Sequence, residues 1–122
     1  MKRIVYSSAA VAPLDDAAVA RLVQAAQERN ARHAITGVLL FNGKHFIQAI
    51  EGDDIDIDYL MSLILSDPRH HHVSVLSEEA IAAREFSDWS MQLVRFQSRD
   101  DIPHSFLQRL PQGARDALVT IA

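Results

Sequence analysis

The stretch Ala34-Ile35-Thr36-Gly37-Val38-Leu39-Leu40-Phe41, Asn42-Gly43, Lys44-His45-Phe46-Ile47-Gln48-Ala49-Ile50-Glu51-Gly52 decides the fold. Its first eight residues are a β-rich run. Asn42-Gly43 follows directly and is the strongest short hairpin signal, because both residue types tolerate positive φ. His45 to Glu51 is therefore expected to return antiparallel. Strand alternation then puts His45, Ile47, Ala49 and Glu51 on one face and Phe46, Gln48 and Ile50 on the other. Gln48 lands between two large apolar neighbours on a face that reads as core.

Working outward, residues 2–8 alternate, with Ile4 and Tyr6 facing one way and Val5 and Ser7 the other, which predicts a first strand. Pro13 and Asp15-Asp16 open a helix, since acidic residues favour the first turn. Val19, Leu22, Val23 and Ala26 follow at i, i+3, i+4 and i+7, and the helix runs to about Arg29-Asn30. Gly52-Asp53-Asp54 ends the hairpin and caps a second helix with the stripe Ile57, Leu60, Met61 and Ile64, which Pro68 stops. Val73 to Leu76 reads as a fourth strand, resuming near Ala80-Ile81, and Trp89 to Phe96 as a fifth. The order β-α-β-β-α-β-β predicts an α+β fold, a ferredoxin-like sheet with two helices on one face and an added strand.

The tail from Asp100 carries Ile102, Phe106, Leu107 and Leu110 on one short helix and Ala114 to Ile121 on another, broken by Pro103 and Pro111. Residues 1–96 are thus expected to form one domain and 97–122 a C-terminal helical tail or cap. Two helices cover one sheet face, so the tail or a second subunit is expected on the other. Alternation leaves Leu40, Val94 and Phe96 exposed on that outer face, a candidate docking surface.

Composition narrows the function. The 122 residues are 48% hydrophobic and 23% charged, ordinary globular values that argue against disorder. Twelve basic against sixteen acidic residues give a net charge of −4, so no nucleic-acid partner is expected. With no cysteine, disulfides, thiolate zinc sites, iron–sulfur clusters, cysteine nucleophiles and cysteinyl–flavin adducts are excluded. No apolar run approaches the ~20 residues that span a bilayer, and Met1 to Tyr6 is too short for a signal peptide. No membrane partner is expected, and the compartment expected is the cytoplasm.

The informative oddity is the amide of Gln48. Each of its polar groups left unpaired when buried costs roughly 1–3 kcal/mol. Tyr6, on the Ile4 face of strand one, is the candidate partner. A structural Gln–Tyr bridge is an equal reading at this point. Met91 reads more readily as core filler than as a ligand contact, Trp89 as core, and Asn30 as an αL-type helix cap. In Arg69-His70-His71-His72, adjacent histidines point to alternating faces and do not converge, so no metal is expected. No nucleophile elbow and no glycine-rich phosphate loop is present, so the chain does not read as an enzyme.

Taken in order, seven segments resemble the BLUF family of flavin-based blue-light sensors, in its short single-domain form. They are Ile4-Val5-Tyr6-Ser7-Ser8, Arg29-Asn30, Ile35-Thr36-Gly37-Val38-Leu39, Phe46-Ile47-Gln48-Ala49-Ile50-Glu51-Gly52, Asp67-Pro68-Arg69-His70-His71, Arg84-Glu85-Phe86 and Trp89-Ser90-Met91. The resemblance spans roughly residues 2–96. It implies non-covalent FAD, with FMN the alternative, its ring between the two helices and edge-on to the sheet. By the family pattern Tyr6 is the light-driven electron and proton donor. Gln48 is the switch, rotating or tautomerising to exchange its hydrogen bonds. Asn30 holds the ring's pyrimidine side, Arg69 faces its carbonyl edge, and His70 lies beside it. Trp89 and Met91 report the switch outward. Val19, Leu22, Val23, Ile35, Phe46 and Ile64 make the apolar walls.

The implied function is a blue-light photoreceptor in signal transduction. It would act on a downstream protein effector or within a homo-oligomer, through the outer sheet face and the tail. This chain departs from the family in Phe46, Ile47, Ala49 and Ile50 around the glutamine, where Leu and Val are commoner, and in its short tail. The competing reading is a light-insensitive ferredoxin-like interaction module, which has no reason to keep Tyr6, Asn30 and Gln48 together. An acylphosphatase-like enzyme would need an anion-cradling loop after strand one, and residues 7–13 hold neither glycine nor arginine.

Overall fold

The strand that carries Gln48 lies at the centre of a sheet. The structure, a computed structural model, describes residues 1–10, 12, 14–66, 70–87 and 90–121. Strands β2 (Thr36–Phe41) and β3 (His45–Gly52) pair antiparallel, with Phe41 opposite Phe46 and Leu39 opposite Gln48. At the hairpin, Gly43 takes φ 97°, a conformation that costs glycine nothing. Asn42 does not share it. Its Oδ1 instead accepts from the backbone N–H groups of Lys44 (3.0 Å) and His45 (2.7 Å), an Asx-type turn. The hairpin forms as expected, with the asparagine acting through its side chain. Gly37 is needed for packing, because a methyl group there would collide with the Ala49 carbonyl of β3.

Strand β1 (Lys2–Ala10) pairs antiparallel with β3, and β4 (His70–Ala80) pairs antiparallel with β1. The short β5 (Gln92–Arg95) runs parallel to β2. Among the described residues the strand order is β4-β1-β3-β2-β5, a ferredoxin-like sheet with β5 added at one edge. β4 is continuous where two pieces were expected, because two register shifts against β1 absorb the irregularity. β5 is four residues where eight were expected. The carbonyls of Ser90 and Met91, just before it, are taken by side chains of the first helix.

That helix, α1 (Asp16–Arg32), is capped by Asp15, which accepts from the Ala18 N–H at 2.7 Å. α2 (Asp54–Ser66) buries the predicted stripe Ile57, Leu60, Met61 and Ile64. Both helices pack on the face that carries Ile4, Tyr6, Leu39, Phe46 and Ile50.

The opposite face corrects an expectation. Val5, Val38, Leu40, Ile47 and Ala49 pack against Ile102, Leu110, Ala114 and Leu118 of the tail, which folds into α3 (His104–Leu107) and α4 (Gln112–Ile121). Leu40 is 1% exposed and Phe96 3%, and Val94 is packed against the same cluster. The outer face is therefore not an open docking surface, since the chain's own tail covers it. Alternation identifies which face a residue is on, and the amphipathic tail decides whether that face meets water. No helix among the described residues is long and apolar enough to cross a membrane.

Candidate functional site

Tyr6 and Gln48 are brought together by strand register. They are directly opposed on β1 and β3, on the helix-covered face, and both are buried. The Tyr6 hydroxyl donates to Gln48 Oε1, and Gln48 Nε2 donates to the Met91 thioether at 3.4 Å. Met91 itself is 2% exposed and lies just before β5, in the helix-side core.

The end of α1 supplies the next residues. Its last turn closes as a Schellman motif. The Ile35 N–H donates to the Asn30 carbonyl at 2.9 Å, and the Ala34 N–H to the Ala31 carbonyl at 3.4 Å, with Ala34 at φ 52°. The αL position is therefore Ala34, and Asn30 lies inside the helix, which removes the capping reading of its side chain. Asn30 is fully buried. Its Nδ2 donates to the Ser90 carbonyl at 2.8 Å, while its Oδ1 is buried with no hydrogen-bond partner among the described residues. One turn earlier, Gln27 Nε2 donates to the Met91 carbonyl at 2.9 Å.

Between the helices lies a cleft of about 560 Å³ including its open mouth. The sheet supplies its floor with Tyr6, Leu39, Phe46 and Gln48. α1 lines it with Leu22, Ala25, Ala26 and Arg29, and α2 with Leu63 and Ile64. Of the residues singled out in the sequence, Tyr6, Leu22, Phe46, Gln48 and Ile64 meet at this cleft. Val19, Val23, Ile35 and Met91 sit in the helix-side core, and neither they nor the buried Asn30 are part of the cleft lining. Arg69 and Trp89 lie outside the described residues, as does the side chain of His70, whose backbone pairs with Ala10.

Sequence reasoning named Ala26 only as part of the helix stripe and Arg29 only beside Asn30, and passed over Ala25, although all three continue the spacing from Leu22. It also passed over Leu39, which the register puts opposite Gln48. It missed Glu51 as well. That carboxylate is fully buried on the tail-side face of β3. It accepts from Arg3 Nε (3.0 Å) and Nη2 (2.7 Å), and from the backbone N–H groups of Glu85 (3.0 Å) and Phe86 (2.8 Å). Burial works against the Arg3 charge, but its hydrogen bonds to Glu79 and Glu51 more than offset this and hold its pKa above the ordinary guanidinium value. Glu51 thus ties the connection between β4 and β5 to the strand of Gln48.

The cleft suits a flat aromatic group with one polar edge. Its walls are mostly aliphatic. At its floor one N–H of the Gln48 amide is left over once Met91 is served. Next to the lining residue Arg29 on α1, though not itself in the cleft lining, the buried Asn30 Oδ1 has no donor among the described residues. An isoalloxazine carries both matches on its pyrimidine side, an N–H donor and carbonyl and ring-nitrogen acceptors. The residues present fit a flavin.

The comparisons with known proteins agree. The BLUF family profile, described as sensors of blue-light using FAD, matches residues 1–92. The blue light- and temperature-regulated antirepressor BluF of Escherichia coli K12 is 36% identical over 86 residues, 69% of this chain and 21% of that protein. The dark-state structure of the BLUF protein BlrB superposes with a TM-score of 0.76 at 36% identity, covering 97% of this chain and 90% of that one. Klebsiella pneumoniae BlrP1, solved with FMN and cyclic diGMP, matches 98% of this chain and 29% of its own, with a TM-score of 0.71 and 30% identity. The chain spans 21% or less of the curated relatives it matches. With a matching profile over residues 1–92, the same fold and a cleft that fits a flavin, the chain belongs to the BLUF family of flavin-binding blue-light sensors.

Proposed function

We propose that Gln48 is the light-operated switch of this sensor and Tyr6 its donor, acting on a flavin held between α1 and α2. The carrying observation is that one buried amide at the cleft floor is shared between a phenol and a thioether, while the buried Asn30 Oδ1 of α1 has no partner among the described residues. When bound, the flavin would supply blue-light absorption and a nearby acceptor for one electron from a phenol. Tyr6 is the phenol at the cleft floor, and its Oη proton has an acceptor in Gln48 Oε1. Asn30 Oδ1 would take a ring N–H, and the remaining Gln48 N–H would serve the ring's acceptor edge. Leu22, Phe46 and Ile64 would exclude water, while Arg69 and His70 would flank the carbonyl edge by the family pattern.

The switch rests on amide symmetry. The two ends of a carboxamide have similar shape and opposite hydrogen-bond roles. A hydroxyl both donates and accepts, so Tyr6 can serve either orientation of Gln48. Reversal would present Oε1 to the Met91 sulfur, which has no proton to give. In a low-dielectric site such an exchange is strong enough to bias a neighbouring element. We infer that the signal leaves through Trp89 and Met91 towards the tail and a protein partner or second copy of the chain. BluF, an antirepressor by name, is a precedent for a protein partner. The chain itself would act in the cytoplasm by binding, without turnover.

The test is spectroscopic. Purified chain is loaded with FAD, and separately with FMN, and its visible spectrum is recorded before and after blue light. A red shift that decays in the dark supports the reading, and an unchanged spectrum of bound flavin overturns it.

A further inference from the structure

Two carboxamides one turn apart on α1 hold two successive carbonyls of the segment that enters β5. Asn30 serves Ser90 at 2.8 Å and Gln27 serves Met91 at 2.9 Å. Gln27 is an exposed residue that does not line the cleft. Its amide reaches the backbone of the residue whose thioether meets Gln48 at 3.4 Å.

We propose that Gln27 is a positioning residue for the Gln48 switch, fixing the Met91 sulfur where it discriminates between the two amide orientations. The inference rests on the amide-switch reading above. The physical step is an asymmetry between the two partners of Gln48. The Tyr6 hydroxyl accommodates either end of the amide, whereas a thioether is a weak acceptor with no donor. Met91 therefore favours the orientation with Nε2 towards it, and does so only while its sulfur stays within reach. Side-chain freedom in an unbranched methionine is large. The backbone must be held for the sulfur to be held, and the Gln27 N–H does this at the carbonyl of Met91 itself. Loosening that hold narrows the gap between the two orientations and lengthens the life of the reversed state.

The experiment is a donor series at position 27 in the full flavin-loaded chain. Gln27→Ala removes the donor, Gln27→Glu sets an acceptor against the Met91 carbonyl, and Gln27→Arg keeps an N–H donor. Two quantities are read: dark recovery after blue light, and the ¹³C-methyl resonance of Met91 in the dark, identified by its loss in Met91→Leu. Recovery is expected to slow about threefold in Gln27→Ala, more in Gln27→Glu, and to stay near wild type in Gln27→Arg. The Met91 methyl line should shift or split in the first two variants. In a Met91→Leu background, Gln27→Ala should change recovery no further. Helix propensity predicts another pattern, since alanine is the better helix former and would cost nothing. Equal recovery across the series, faster recovery in the alanine variant, or an undiminished effect in Met91→Leu overturns the proposal. Loss of the red shift in the wild-type chain would instead overturn the amide-switch reading.

Discussion

Tyr6 and Gln48 stand directly opposite each other on β1 and β3, so their hydrogen bond follows from strand register. The same register puts Leu39 of β2 on the other side of Gln48. A one-residue slip of β3 would turn the amide to the tail-covered face. The contact is therefore as firm as the sheet itself, and changing either side chain leaves the fold standing.

Tyr6→Phe keeps the ring volume and removes the hydroxyl. The variant should still bind flavin and lose essentially all of the light-induced red shift. It should also lose about 1–3 kcal/mol of stability, because the Gln48 carbonyl oxygen is left without its donor. Absorption spectra under blue light and a urea titration measure the two effects. A normal photocycle would remove Tyr6 from its role.

Glu51→Gln tests the buried carboxylate. The variant puts an NH₂ group among donors from Arg3, Glu85 and Phe86 and leaves the half-buried Arg3 without its buried counter-charge. A loss of about 3 kcal/mol is expected, read as a lower urea midpoint at constant slope. A change below about 0.5 kcal/mol would mean that the network does not hold the β4–β5 connection.

Ala34→Gly should stabilise the chain. Alanine occupies the left-handed position of the Schellman motif at φ 52°, where its Cβ is strained and glycine is at ease. The gain expected is about 1 kcal/mol, raising Tm by a few degrees. A lower Tm would contradict the assigned helix end.

Leu118→Ala tests the tail as part of the core. Leu118 is fully buried against the sheet face of Val5, Leu40 and Ile47, so truncation should cost about 2–5 kcal/mol. Ile55→Ala is the contrast. Ile55 is 84% exposed on α2 and should change stability by less than about 0.5 kcal/mol. Similar effects in both variants would show that the tail does not cover the sheet.

Much of this was legible in the sequence, because two periodicities carry it. The 3.6-residue stripes of α1 and α2 and the alternation of β1 and β3 are enough to put Tyr6 and Gln48 on one face. What alternation does not encode is what covers a face. The burial of Leu40 and Phe96 depends on where residues 102–118 fold back. β5 is shorter than alternation predicts for a related reason: Ser90 and Met91 continue the alternating pattern, yet their carbonyls are claimed by α1. Glu51 was hidden because its partners Arg3, Glu85 and Phe86 are brought to it from distant parts of the chain. At the cleft, Ala25 was passed over and Ala26 read only as core, because small side chains that leave room for a ligand look like ordinary helix residues.

The central claim is that the Gln48 amide changes its hydrogen bonds under blue light, and isotope-edited infrared difference spectroscopy reads this directly. The flavin-loaded chain is labelled with ¹³C at the glutamine side-chain carbonyl, and light-minus-dark spectra are compared for the wild type and Gln48→Ala. The account predicts a displaced labelled carbonyl band in the wild type that disappears with Gln48, although Gln27 and the other glutamines remain. A full red shift with no movement of any labelled glutamine band would contradict it.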